Sequence, residues 1–142
     1  MPPSCSFRTS YRVVWADTDA AQVVHYANYF RIFERAEEEF YRHLGFSFTE
    51  WSKRGLWFPR VEAFCQYKKP ARFNELLQIE VTVGDLKEKS VKLEFKVLSE
   101  QTDTLFASGY IIAVVADKKT GRATSIPVEI LKKLRSFSKQ VN

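Results

Sequence analysis

The sequence predicts an α+β domain in which an antiparallel sheet wraps around one long central helix. Apolar residues recur at helical spacing along residues 25–44. The pattern then changes to alternation with period 2 in four successive runs between residues 59 and 116. The length of 142 residues suits a single domain spanning the chain, with its core at about residues 8–135. No internal repeat, low-complexity segment or linker divides it.

In chain order, residues 11–15 form a short run rich in β-branched and aromatic side chains, which predicts the first strand. Residues 17–21 make a loop with good capping chemistry. From His25, the positions Tyr29, Phe33, Ala36, Phe40 and Leu44 form an apolar stripe. Phe30, Glu37 and Tyr41 flank it, and Gly45 ends the helix. Residues 49–53 add one helical turn before Gly55. Residues 59–68, 76–83, 91–99 and 105–116 read as strands, separated by polar turns. Lys92-Leu93-Glu94-Phe95-Lys96-Val97 alternates cleanly, so one face of that strand meets water. Pro127 stands at the first turn of a closing helix over residues 128–134.

Hydrophobic residues make up 45% of the chain and charged ones 27%, the balance of a soluble globular protein. Aromatic residues reach 15%, twelve of them Phe, which implies a thick core or apolar surface hidden in an oligomer. The net charge of +5 comes from Lys and Arg scattered among Glu. That pattern speaks against nucleic acid and suits a phosphorylated small molecule. Cys5 and Cys65 form neither a disulfide framework nor a metal pair, and free thiols point to a reducing compartment. With two His and two Cys widely spaced, no metal site is expected. The first six residues lack an apolar targeting core and no run of eighteen apolar residues occurs, so the expectation is a cytoplasmic protein without a membrane partner.

Chemistry concentrates in Asp17-Thr18-Asp19-Ala20-Ala21-Gln22-Val23-Val24-His25-Tyr26-Ala27-Asn28-Tyr29-Phe30. Two carboxylates end a strand and lead directly into a long helix. A carboxylate beside free helix N-terminal amides suits attack on a carbonyl, which points to acyl transfer. The same position also suits an Asp that merely caps the helix, although Asp19 lies six residues ahead of the clear helical pattern.

The strand–Asp-Thr-Asp–helix block, followed by Tyr67-Lys68-Lys69-Pro70-Ala71-Arg72-Phe73 and the alternating strands, resembles the hotdog-fold acyl-CoA thioesterases. Within them it is most like the 4-hydroxybenzoyl-CoA thioesterase-like branch. The resemblance implies a hydrolase cleaving an acyl-CoA thioester to free acid and CoA, with no cofactor, since CoA is part of the substrate. It implies Asp19 as the catalytic carboxylate and backbone amides around His25 and Tyr26 against the thioester carbonyl. It also implies a homodimer or homotetramer with sheets joined edge to edge, and active sites at the interface. The turn and strand start at Lys87, Lys89 and Ser90 would then contact CoA, with Lys68, Lys69 and Arg72 as a second basic cluster. Two alternatives stay open: action on acyl-carrier-protein thioesters, or a non-catalytic acyl-CoA-binding domain. Two positions depart from the family. Many relatives have Gly in place of Gln22, so either this loop does not need a positive φ or Gln22 reshapes it. Some read Tyr-His in place of His25-Tyr26, so no role of the His25 side chain carries over.

A thioester is already activated, and a carboxylate can attack it or activate a water. Asp17 reads as structural, bonding the turn backbone. Tyr26 suits the wall of an acyl pocket, apolar with a polar tip. His43, near the helix C-terminus, complements the dipole. Glu34, Glu38 and Glu39 make a solvated helix face with Arg35 and Arg42, and Glu37, near the stripe, faces a subunit interface.

Overall fold

A computed structural model describes residues 6–138; Cys5 lies outside them. Five strands form an antiparallel sheet: β1 (Phe7–Arg12), β3 (Arg60–Tyr67), β4 (Leu76–Leu86), β5 (Ser90–Ser99) and β6 (Leu105–Val114). Their order is β1-β4-β5-β6-β3. Helix α1 (Asn28–Leu44), about 25 Å long, packs against one face of the sheet. Two short helices, α2 (Phe48–Lys53) and α3 (Val128–Arg135), and a two-stranded ribbon of β2 (Leu56–Trp57) with β7 (Ala116–Asp117) complete the hotdog arrangement. Among the described residues no helix is long and apolar enough to cross a membrane.

The helix stripe is buried as its spacing dictates: Tyr29, Phe33, Ala36, Phe40 and Leu44 are all in the core, joined by Ile32 and Tyr41. Val91, Leu93, Phe95 and Val97 answer from β5, and its intervening residues face outward. Phe33 stacks on Phe95 with ring centroids 4.6 Å apart. This close approach needs Gly109. A Cβ there would lie 2.1 Å from the Phe64 carbonyl oxygen and 2.8 Å from the Phe33 ring. Gly45 ends α1 in the left-handed conformation, φ +88°, and its amide donates to the Arg42 carbonyl.

Several boundaries differ from the sequence reading. The first strand is Phe7–Arg12, not residues 11–15, because it pairs with β4 from Phe7↔Val81 to Arg12↔Leu76. Beyond that pairing the Asp17 carboxylate accepts the Val14 amide at 2.8 Å and turns the chain away. Trp15, read as strand, begins a 3-10 turn and is 82% exposed. The helix starts at Asn28 rather than His25, and the residues before it form a turn whose His25 amide donates to the Asp17 carbonyl at 2.9 Å. The last strand breaks after Val114, and Ala116–Asp117 turns to pair with the short strand β2. Pro127 caps α3 from outside its first turn.

Glu37 does not face an interface within this chain. It is 1% exposed in the core and accepts from Arg60 Nη2 at 2.5 Å. Burial raises its carboxyl above the usual range, against the pull of Arg60. Arg42 pairs with Glu39 at 2.5 Å as helical spacing predicts, whereas Arg35 lies over the Tyr11 ring. His43 packs against the rings of Phe7 and Phe137.

Candidate active site

The turn carrying Asp19 is built by backbone bonds between residues close in sequence. The Asp19 amide donates to the Val23 carbonyl at 3.0 Å, and the Gln22 amide to the Asp19 carbonyl at 2.9 Å. Asp19 Oδ1 accepts from the Ala21 amide at 2.9 Å, an Asx turn. Oδ2 meets no donor among the described residues, and the side chain is exposed. Closing this turn puts Gln22 at φ +66°, so the loop does need a positive φ, and Gln22 adopts it.

A second segment is drawn to the turn. Val23 bridges to Arg72, and the Val24 amide donates to the Ala71 carbonyl at 2.8 Å. A cavity of about 330 Å³ opens between the two, lined by Asp19, Tyr26, Tyr29, Tyr67, Lys68 and Lys69, with Val23, Val24 and Pro70 behind. Asp19 is the one carboxylate in this lining. Burial holds the Tyr29 and Tyr67 hydroxyls above the usual tyrosine range and pushes the nearby Cys65 thiol up to about 11, so all three stay neutral at pH 7.

At the head of α1 the two candidate amides differ. The His25 amide is committed to the Asp17 carbonyl, whereas the Tyr26 amide has no acceptor among the described residues. His25 Nδ1 accepts from the Ala27 amide at 3.1 Å, which puts the proton of a neutral ring on Nε2, a donor rather than a base. The His25 and Tyr26 rings stack with centroids 4.5 Å apart, and Tyr26 is 67% exposed. Tyr67 donates its hydroxyl to the Tyr26 carbonyl at 3.0 Å, tying the edge strand to the helix head. Asp17 has the structural role its position suggests, accepting from Tyr11 Oη at 2.5 Å and from the Val14 amide.

The fold thus brings together Asp19, Tyr26, Lys68 and Lys69, with His25 adjoining through its ring. It does not bring Lys87, Lys89 or Ser90 to them. Lys87 and Lys89 lie in the turn before β5 and Ser90 begins that strand, the turn being pinned by a bond from the Val115 amide to the Lys89 carbonyl at 2.9 Å. The opposite end of β5, at Ser99, pairs with Leu77, close to where β1 leads into the Asp19 turn. The ten residues between span about 30 Å. Tyr29 and Tyr67 escaped the sequence reading as site residues. Tyr29 sits in the core stripe, and the only signal for Tyr67 was its place beside Lys68-Lys69-Pro70. Among the described residues no three His, Cys, Asp or Glu side chains gather as metal ligands do.

Comparison with known proteins adds to this geometry. Residues 13–134 match the family described as the thioesterase-like superfamily. The chain is 32% identical over 124 residues to a putative esterase of Aquifex aeolicus, covering 87% of this chain and 94% of that protein. It is 27% identical over 125 residues to the acyl-CoA thioester hydrolase YbgC of Escherichia coli, 88% of this chain and 92% of that one. Among solved structures, a gentisyl-coenzyme A thioesterase superposes with a TM-score of 0.79 at 33% identity, covering 87% of this chain and 98% of the other.

Proposed function

The chain belongs to the thioesterase-like superfamily and is a thioester hydrolase, and from that premise we propose that it cleaves acyl-CoA thioesters with Asp19 as the catalytic carboxylate. The observation that carries the reading is the cavity at the head of α1. Two of its lining residues are Asp19, an exposed carboxylate with one uncommitted oxygen, and Tyr26, whose amide is uncommitted.

The chemistry needs few parts. The thioester carbonyl lies against the Tyr26 amide, which takes up the negative charge that develops on oxygen. Asp19 then either removes a proton from an attacking water or attacks the carbonyl itself, forming an anhydride that water opens. In both routes the C–S bond breaks and the thiolate of CoA leaves, taking a proton to become the free thiol. Tyr26, Tyr29 and Tyr67 supply the apolar wall against which the acyl group packs. Lys68 and Lys69 are the cations that the same chain offers to the phosphates.

Lys87, Lys89 and Ser90 enter the reading only from a second copy. The edge strand β3 provides the place for one: nearly all its residues are exposed, including Val61 at 61%. A second copy added along this edge pairs its free backbone groups and covers its apolar side chains.

Asp19→Asn keeps the size of the side chain and removes its charge. It should leave the fold intact and lower kcat by about 10² or more, measured as thiol release from a panel of aromatic and aliphatic acyl-CoA esters. A folded variant that turns over the same esters at wild-type rates would show the assignment to be wrong. In single turnover in ¹⁸O water, label in Asp19 would identify an anhydride opened at the Asp19 carbonyl, because the general-base route puts the label only in the product acid.

A further inference from the structure

The Asp19 turn and the helix head are different pieces of chain, and the residue that leads into the turn is hydrogen-bonded to the helix head. Asp17, two positions before Asp19, is 9% exposed and meets four donors. Its Oδ2 takes the Tyr11 hydroxyl at 2.5 Å and the Val14 amide at 2.8 Å. Its main-chain carbonyl takes the His25 amide at 2.9 Å and the side-chain amide of Asn28 at 2.8 Å. The Asn28 backbone amide closes the ring by donating to the His25 carbonyl at 2.8 Å.

Asn28 is the first residue of α1, and its side chain is not used to cap that helix. It reaches back instead to the turn. Tyr11 likewise projects from β1 to the same residue. Neither lines the Asp19 cavity, so neither is placed to touch a substrate there. Asp19 follows Asp17 by two residues and Tyr26 directly follows His25, so the bonded ring adjoins in the chain both the carboxylate and the amide that must meet one carbonyl group.

We propose that Asn28 and Tyr11 are positioning residues of the hydrolysis, acting through Asp17 to set the separation of the Asp19 carboxylate and the Tyr26 amide. This rests on the reading of Asp19 as the catalytic carboxylate. A base and an oxyanion donor on separate segments help only when both are in place at the transition state, and a shift of about 1 Å is enough to cost 10²-fold. Binding of the acyl-CoA needs no such precision. Loosening the ring therefore lowers kcat and leaves KM nearly unchanged.

Asn28→Asp tests this with little harm to the helix, because a carboxylate is favourable in the first helical turn. It replaces the donor with an oxygen facing the Asp17 carbonyl. The expected result is a fall in kcat of about 10–100-fold with KM within about twofold. Tyr11→Phe keeps the ring, removes only the hydroxyl, and should lower kcat in the same way by a smaller factor. The double variant should lose less than the product of the two, since both act through Asp17. Circular dichroism and thermal melts of each variant, with Asp19→Asn as reference, complete the experiment. If Asp19→Asn loses turnover while folded Asn28→Asp and Tyr11→Phe keep wild-type kcat, the positioning role is overturned and the reading of Asp19 stands. A loss that merely follows the folded fraction, or that falls on KM, also overturns it. If Asp19→Asn itself keeps wild-type turnover, the reading of Asp19 fails first and the positioning role with it.

Discussion

Gln22 holds a φ of +66°, a conformation that costs a side chain with a Cβ about 1–2 kcal/mol. Glycine would avoid that cost but lose about 0.5–1 kcal/mol to the greater freedom of its unfolded chain. Gln22→Gly should therefore stabilise the protein by about 0.5–1 kcal/mol, seen as a higher urea midpoint at unchanged slope. A lower midpoint would mean that the Gln22 side chain itself supports the turn. The departure from the family pattern was visible at this position in the sequence, but its direction was not. Whether the loop needed a positive φ depended on how Asp19 and Val23 close on each other. Asp17 and Asp19 show a similar limit. Their spacing marked both as notable, yet the inward turn of one and the exposure of the other depend on Tyr11 reaching over from β1.

Between elements, the contact most exposed to test is that of Glu37 on α1 with Arg60 at the start of β3. Arg60→Ala leaves a carboxylate at 1% exposure without its partner. The cost at neutral pH should be about 2–3 kcal/mol, below the value for fully buried pairs because Arg60 is a third exposed. Burial already raises the Glu37 carboxyl above its ordinary 4.5, and loss of Arg60 raises it further. In the unfolded chain the group ionises near 4.5, so as pH climbs from there the unfolded state releases its proton first. Stability therefore falls with rising pH until the folded group also ionises. Urea melts should show the Arg60→Ala penalty small near pH 5 and largest at pH 8, and a difference constant across that range would contradict the account. The helix stripe was legible because five apolar residues at regular spacing leave one solution. Glu37 was not, since its partner lies 23 residues away on another element.

For the whole molecule, the exposed edge of β3 sets the expectation. Val61, Phe64 and Tyr67 are exposed large side chains on a strand with one free flank. Light scattering at micromolar concentration should give a dimer or larger, not the 16.6 kDa of one chain. Val61→Lys places a charge on that edge and should shift the protein toward monomer, with activity falling in parallel as concentration is lowered. A fully active monomer would remove the second copy from the site, and with it any role there for Lys87, Lys89 and Ser90.

The sequence by itself determined the α+β class, the long helix and its buried face, and the main strands in their order along the chain. Each of these is a local or periodic property, written in neighbouring residues and repeated often enough to survive single exceptions. The tertiary structure alone decided which basic residues share a cavity with Asp19, because Lys68 and Lys87 look alike in sequence yet lie at opposite ends of the sheet. It also decided which helix-head amide stays uncommitted. Asp17 takes the His25 amide and leaves that of Tyr26, a choice made by closure between segments that only the folded chain brings together.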